Sequence, residues 1–350
     1  MSSDMTPKER LYKSLKKETV DRKPCICPGG MMNMMVEDVM DMKGIFWPEA
    51  HSDAKMMAEL NIGMYENGGF ENFGVPFCMT VEAESMGAGV FMGTKVTEPR
   101  VVKYPINSVT EYKKLSDIDV TKGRAKVVID AIEILKEKNM DVPIIANLTG
   151  PVSLASSLME PVTYYKELRK KKQESHEYME FITRNLINFG KAQLEAGADI
   201  LTISDPSGTG EILGAATFSE FAVPYLNKII DELKNYAEGG TIIHICGKLK
   251  SIYAELNDLH SDAVSFDSIT NARQVCENVK NKVIMGNVST YALEYSDEDN
   301  IRKIANNCLR EVDILSPACG IGVRSKFSHI KTIVDCTKEE QKSNVIKANF

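Results

Sequence analysis

The chain has 350 residues, of which 43% are apolar and 26% charged, the composition of an ordinary globular protein. Its formal net charge of −7 argues against nucleic acid or an anionic membrane surface as a general partner, because either needs a basic face. The N-terminus has no apolar signal core, no stretch approaches the roughly 20 apolar residues of a membrane span, and the eight cysteines are dispersed, so we expect a cytoplasmic protein with reduced thiols.

Short apolar runs alternate with longer helical patterns along the chain. Residues 1–22 form a helix-like preface, and eight runs after it are candidate strands: 24–30, 71–77, 142–150, 198–208, 240–247, 262–268, 282–290 and 313–322. Between most of them, as in 125–139 and 175–197, apolar residues recur every three or four positions, which indicates amphipathic helices.

This alternation predicts the fold class. Strands that alternate with helices pair in parallel, and eight such units close most naturally into a (β/α)8 TIM barrel, with a doubly wound open sheet as the alternative. No linker or repeat divides the chain, so we expect one domain over residues 1–350. Residues 78–106 have the pattern of a β-hairpin inserted after the second strand, which would cover the active face.

A histidine and a cysteine interrupt the apolar run "GTIIHICG" at 240–247. Side chains two positions apart share one face of a strand, so His244 and Cys246 point the same way. In a barrel this face is the interior, and the pair stands at the carboxyl end of its strand, where barrel enzymes carry their active sites. The pair alone is equally consistent with a buried thiol beside a hydrogen-bonded histidine.

The segment "SPACGIG" (316–322) adds a third donor. Cys319 follows the last candidate strand, so its thiol reaches the mouth that His244 and Cys246 already line. One imidazole and two thiolates select zinc and leave a fourth tetrahedral position for an exchangeable ligand. Such a zinc site has no formal charge and is a poor electrophile, so the pattern favours alkylation of a bound thiolate over hydrolysis.

Several blocks of the sequence together resemble one family, the methylcobamide:coenzyme M methyltransferases of methanogens, within the uroporphyrinogen decarboxylase superfamily. The blocks follow one another in order over nearly the whole chain: "FWPEAHSDAKMMAEL" (46–60), "VPFCMTVEAESMGAGVFMGTK" (75–95), "DP" (205–206), "HICG" (244–247), "GNVS" (286–289) and "PACGI" (317–321). The resemblance implies a zinc enzyme on a (β/α)8 barrel that moves a methyl group from a corrinoid cobalt to the thiol of coenzyme M. It also implies that His244, Cys246 and Cys319 are the zinc ligands.

Three further polar residues are candidate site residues. Asp205 ends the fourth candidate strand, where its carboxylate either orients His244 or caps the next helix. Asn287 ends the seventh, where its amide either hydrogen-bonds the substrate or holds a backbone turn. Glu84 falls where the resembled family carries an acid, and it is either a fourth zinc ligand or a hairpin side chain that faces solvent.

Contacts with coenzyme M and the corrinoid also have candidates. Lys95, Arg324 and Lys326 are cations available to a sulfonate, although most such residues are simply solvated. Met34 belongs to the segment "GGMMNMM" (29–35), whose polarizable side chains either contact a corrinoid or pack as a lid. We expect a separate corrinoid protein to deliver the methylcobamide, docking over the hairpin and this segment, because "DLHSDA" (258–263) is only superficially similar to the D-x-H-x-x-G signature of corrinoid-binding modules.

Three other functions fit parts of the pattern. A porphyrinogen decarboxylase on the same fold needs cations for many carboxylates, but residues 25–50 contain no arginine and only Lys43. A corrinoid-dependent methyltransferase with another acceptor, such as homocysteine or a pterin, is not separated by the sequence. A non-catalytic member with a structural zinc would need a fourth protein ligand to close the site.

Overall fold

The computed structural model describes residues 4–28 and 33–348, with side chains up to residue 341. The first helix begins after Thr6, whose hydroxyl accepts from the Glu9 N–H (3.2 Å), and it has a proline at its first position. Within the described residues the α-helices are α1 Pro7–Leu15, α2 Glu37–Lys43, α3 Ala54–Glu66, α4 Val81–Ser85, α5 Gly123–Glu137, α6 Pro151–Leu158, α7 Pro161–Lys170, α8 Lys172–Glu195, α9 Gly210–Phe221, α10 Val223–Leu233, α11 Tyr253–Asn257, α12 Ala272–Asn278, α13 Thr290–Tyr295, α14 Glu298–Leu309 and α15 Phe327–Ala348.

The strands form one large parallel sheet and one small hairpin. Their bounds are β1 Phe73–Val75, β2 Gly89–Phe91, β3 Arg100–Lys103, β4 Ile144–Thr149, β5 Ile200–Ser204, β6 Gly240–Ile245, β7 Ala263–Phe266, β8 Val283–Val288 and β9 Ile314–Pro317. The large sheet has the order β1-β4-β5-β6-β7-β8-β9, and every pair in it is parallel. The parallel α/β architecture and seven of the eight predicted strands are therefore confirmed.

The first predicted strand, 24–30, is present only as an extended segment in its described part. The Ile26 N–H donates to a β9 carbonyl (3.1 Å), and the Glu71 N–H, next to β1, donates to the Cys25 carbonyl (3.0 Å). The segment thus lies between the two edge strands of the sheet and bonds to both sides. Its two prolines lack an N–H, so a regular ladder cannot form along it.

The strands of the sheet are buried on both faces, which explains their nearly continuous apolar sequences. Register then fixes which polar side chains meet. Ser204 of β5 pairs with His244 of β6, and His244 pairs with Ser265 of β7. Because paired residues of neighbouring parallel strands share a face, these three side chains project together at the carboxyl ends of the strands.

The insertion after β1 differs in part from its prediction. The sequence pattern predicts a β-hairpin over 78–106, and β2 and β3 do form an antiparallel pair within it. Its first part, however, is the helix α4, whose sequence "VEAES" alternates over four residues but contains the strong helix formers Glu and Ala. The helical preface predicted for 1–22 contains α1. The described helices include none long and apolar enough to cross a bilayer.

Candidate metal centre

Three potential metal ligands meet at the carboxyl end of the sheet. His244 is the penultimate residue of β6, Cys246 follows that strand, and Cys319 follows β9. The Cys246 Sγ lies 2.9 Å from the His244 Nε2 and 3.5 Å from the Cys319 Sγ, and donor atoms of all three lie within 4.8 Å of one another. Because β7 and β8 separate β6 from β9 in the sheet, this contact occurs across the enclosed face. The structure thus brings together the three residues that the sequence analysis names as ligands.

The two thiols of this cluster differ in acidity. A hydrogen bond from Cys246 holds the pKa of Cys319 well below its usual value, and a hydrogen bond from His244 acts in the same direction. The hydrogen bond to Cys319 and burial raise the pKa of Cys246, and the negative charge of Asp267 adds to this effect. One thiolate therefore forms readily, whereas the second proton leaves only when a cation replaces it.

The imidazole is oriented by a residue that the sequence analysis did not name. The His244 Nδ1 lies 3.0 Å from the Ser265 hydroxyl, which leaves Nε2 facing the thiols. The chain then turns sharply after Cys246 at Gly247, whose φ is 77° and where an added Cβ would lie 2.8 Å from the Glu211 carboxylate. Glycine is favoured at this turn because residues that carry a side chain rarely adopt this backbone conformation.

The Ser265 hydroxyl gives a first testable prediction. We expect Ser265→Ala to lower zinc affinity roughly 10- to 100-fold, the usual cost of losing the partner that orients a ligating histidine. Competition with a chromophoric chelator measures this affinity. Ser204→Ala is the matched control, because the Ser204 hydroxyl is equally buried beside His244 but has no hydrogen-bond partner among the described residues. Equal affinities in the two variants would contradict the orienting role.

Asp205 does not contact the imidazole. Its carboxylate accepts from the Ser153 N–H (2.8 Å), the Ser153 hydroxyl (2.6 Å) and the Val152 N–H (3.2 Å), so it caps the first turn of α6. The sequence-based alternatives were orientation of His244 or a cap on the following helix, and the observed cap belongs instead to the helix after β4. Burial raises the pKa of this carboxyl, and the hydrogen bonds from Ser153 oppose the shift.

Glu84 is paired away from the cluster. Its carboxylate accepts from the Arg124 Nε (2.5 Å), so the fourth-ligand position predicted for it does not correspond to this structure. Two other acids interact electrostatically with the thiols. Asp267, just after β7, raises the pKa of Cys246, and desolvation together with the charge of Cys319 raises the pKa of Glu98 to about 7. Their position after a strand and in the hairpin was the only sequence signal for them.

Asn287 holds a turn rather than facing the cluster. Its amide donates to the carbonyls of Thr270 (2.9 Å) and Asp267 (3.2 Å), and its oxygen accepts from the Cys308 thiol of α14 (3.6 Å). The contact with α14 places the amide toward the helical layer. Of the two roles that the sequence left open for Asn287, the structure therefore shows the backbone turn.

Lys95 and Met34, the candidate contacts for coenzyme M and the corrinoid, have different neighbours in the structure. Lys95 forms ion pairs with Glu37 (2.9 Å) and Asp41 (2.8 Å), and its ammonium lies 4.9 Å from the centre of the Phe46 ring. These acids of α2 already neutralise it. Met34 is fully buried, so its side chain is not available at the surface to a corrinoid. The remainder of the methionine segment, 29–32, lies outside the described residues.

Arg324 lies on the loop that follows Cys319. With Glu98 and Gly322 it lines a cavity of about 390 Å³, which the loop after Cys319 and the inserted hairpin border. Arg324 is exposed and is one of the three cations predicted for the sulfonate. Its cavity is also lined by Gly322 and Val323, which follow Cys319. An anionic group held there would lie beside the loop that follows Cys319.

Comparison with known proteins extends these observations over the whole chain. The family model of uroporphyrinogen decarboxylase (URO-D) matches residues 6–340. Methylcobamide:CoM methyltransferase MtbA of Methanosarcina acetivorans is 31% identical over 96% of this chain and 98% of its own length, and MtaA of Methanosarcina barkeri is 31% identical over 96% and 99%. The solved structure of a methyltransferase from Methanosarcina mazei has a TM-score of 0.87 at 30% identity, covering 96% of this chain and 99% of that one.

Proposed function

The chain belongs to the uroporphyrinogen decarboxylase family, and from this premise we propose that it is a zinc-dependent methyltransferase that moves a methyl group from a methylated corrinoid to the thiol of coenzyme M. The relatives that match almost its entire length carry this activity in their names. The observation that carries the proposal is the cluster of His244, Cys246 and Cys319, whose donors lie within 4.8 Å of one another at the mouth of the sheet.

The donor set fits zinc better than other metals. Thiolate and imidazole ligands suit zinc, and three protein ligands are the usual number in catalytic sites. A zinc ion held there supplies a fourth coordination position and the charge that keeps an alkyl thiol deprotonated at neutral pH. Within the described residues only His244, Cys246 and Cys319 form such a ligand group, and Glu84 pairs with Arg124, so we propose three protein ligands and no acidic fourth ligand.

The residues of the mouth would then position the two reactants. The sulfur of the acceptor attacks the methyl carbon, a carbon–sulfur bond forms as the cobalt–carbon bond breaks, and the electron pair stays on cobalt as Co(I). Arg324 would bind the sulfonate of coenzyme M in the cavity beside the Cys319 loop. Holding thiolate and methyl carbon in line converts an encounter of two molecules into a reaction within one complex.

The donor is expected to arrive on a separate corrinoid protein. The hairpin exposes Phe91 (43%), Val102 (59%) and Tyr104 (42%), and Glu98 between its two strands borders the same cavity as the loop after Cys319. We therefore retain the hairpin as a docking surface for that protein. The described methionines of the neighbouring segment are buried and are not part of it.

The proposal also covers the closure of the barrel, the number of domains and the cellular location of the protein. We propose that residues 24–28 act as the eighth strand of a (β/α)8 barrel and that residues 1–350 form one domain. A cytoplasmic location agrees with the chemistry, because Cys246 and Cys319 must stay reduced to bind a metal and reducing compartments maintain free thiols. Cys246 and Cys319 form no disulfide in this structure.

An assay with free methylcobalamin tests the activity. We expect the zinc-loaded protein to demethylate it with coenzyme M, and at least roughly tenfold more slowly with 2-mercaptoethanol, which lacks the anionic group that Arg324 would bind. The colour change of the corrinoid and the appearance of the methyl thioether measure the reaction. Preference for homocysteine would favour another acceptor, and release of carbon dioxide from uroporphyrinogen without demethylation would favour the decarboxylase.

A further inference from the structure

The turn that follows Cys246 is held by the hydroxyl of one buried threonine. Thr270 donates through this hydroxyl to the Gly247 carbonyl (2.9 Å), and the same oxygen accepts from the Leu249 N–H (3.4 Å). Thr270 is buried and lies in the loop after β7, whereas Cys246 and the turn follow β6. One side chain from the neighbouring loop therefore bonds to both ends of the turn 247–249, which begins one residue after the thiol.

The loop that carries Thr270 is itself fixed to the sheet. The Thr270 N–H donates to the Asp267 carbonyl (3.1 Å), which closes a β-turn over these four residues. The amide of Asn287, a buried residue of β8, donates to the carbonyls of Thr270 (2.9 Å) and Asp267 (3.2 Å). Hydrogen bonds thus run without a break from β8, through the loop after β7, to the turn after Cys246.

A second side chain holds the same turn from the loop after β5, but it is less protected from water. The Glu211 carboxylate accepts from the Lys248 N–H (3.1 Å), and 45% of the Glu211 side chain is exposed, so water competes for this bond. Gly247 has no side chain of its own to restrict the backbone. The Thr270 hydroxyl is therefore a buried restraint on a turn that glycine alone would leave free.

From these contacts we propose that Thr270 is a positioning residue of the metal centre, which sets the Cys246 thiol relative to His244 and Cys319 by fixing the turn after it. The inference rests on the proposed function and deepens it by naming the residue that aligns one zinc ligand. Zinc binds thiolate and imidazole at about 2.0–2.3 Å in a tetrahedral arrangement, so a displaced thiol weakens binding. A turn that is already ordered also removes the entropy cost of ordering it when the metal binds.

Thr270→Val tests this assignment, because valine keeps the shape of threonine and removes both hydrogen bonds of the hydroxyl. We expect the zinc affinity, measured against a chromophoric chelator, to fall at least roughly tenfold. With Co2+ bound in place of zinc, the thiolate-to-cobalt absorption band should weaken and the d–d bands should shift, because both depend on how the ligands surround the metal. Thr270→Ser keeps the hydroxyl and should retain the affinity and the cobalt spectrum of the parent protein.

Thr202→Val is the matched control. Thr202 is buried in β5 and its hydroxyl has no hydrogen-bond partner among the described residues, so this variant should change neither the affinity nor the spectrum. Urea titration of the metal-free proteins checks the fold, and Thr270→Ala replaces Thr270→Val if valine does not fold.

A folded variant without the hydroxyl that keeps the affinity and cobalt spectrum of the parent protein would overturn the assignment. A Thr270→Ser protein that loses as much affinity as Thr270→Val would also overturn it, because the hydroxyl would then not be the cause. If the parent protein itself binds cobalt without a thiolate absorption band, the zinc proposal fails instead.

Discussion

Replacing Cys246 with alanine is expected to lower methyl transfer on the order of 100-fold or more and to leave far less than one zinc ion per chain. The variant retains only His244 and Cys319 as donors of the cluster. Without a bound cation, an alkyl thiol with a pKa near 8.5 is roughly 3% ionised at pH 7, so the acceptor loses most of its nucleophilic form. Metal analysis after gel filtration and initial rates with methylcobalamin measure the two effects.

The controls for Cys246→Ala separate loss of the ligand from loss of the fold. Cys276→Ala removes another free, partly exposed thiol, one that donates to the Glu311 carbonyl (3.0 Å) from α12, and should keep both zinc and activity. Cys246→Ser preserves size and polarity and should fold if alanine does not, while still binding zinc poorly. If Cys246→Ala keeps its zinc and its rate, the cluster is core packing and the zinc proposal fails.

Replacing Glu71 with glutamine is expected to cost about 3–5 kcal/mol of unfolding free energy, the usual consequence of removing one partner from a buried ion pair. The Glu71 carboxylate accepts from Arg10 (3.2 Å) and Arg22 (2.9 Å) and from the Cys25 N–H (3.0 Å). All three charged side chains are at most 7% exposed. The variant therefore leaves buried guanidinium charge without its partner and weakens the attachment of the extended segment 24–28.

Glu59→Gln is the matched control for this loss of charge. Glu59 pairs with Lys43 (2.9 Å) and Lys138 (3.4 Å), with the three side chains 24% to 45% exposed, so its ion pairs should contribute less than about 1 kcal/mol. Urea titrations of the two variants measure the difference. A loss of less than about 1 kcal/mol for Glu71→Gln would mean that other contacts, rather than this carboxylate, attach the segment to the sheet.

The alternation of strands and helices in the sequence was sufficient to predict the parallel sheet. Strands covered on both faces are apolar throughout, whereas apolar residues in the helices between them recur every three or four positions. It was insufficient for the first predicted strand, of which the described residues 24–28 bond to both neighbours without a regular ladder. The apolar pattern reports burial, whereas the ladder depends on N–H groups that the prolines at 24 and 28 lack. It also missed α4, a five-residue helix too short to show a period.

At the candidate metal centre, the sequence was informative where the position of a residue along a strand determines which way its side chain points. The spacing of His244 and Cys246 placed both on one face, and the position of Cys319 after the last strand placed it at the same end. For Asp205 and Glu84 the sequence left alternatives open, because their partners in the structure, Ser153 and Arg124, are distant in the chain. Side-chain pairing of this kind depends on tertiary packing, which no local pattern encodes.

The separation of Cys246 from Cys319, 73 residues along the chain, also has a consequence for the order of assembly. A chain still emerging from the ribosome offers one imidazole and one thiol until its last strand is released, and the third donor arrives only when β9 docks beside β8. High metal affinity is therefore a property of the finished sheet and of no local segment. Since binding energy gained only in the folded state adds to folding, the metal would stabilise chiefly the late docking of the C-terminal strand.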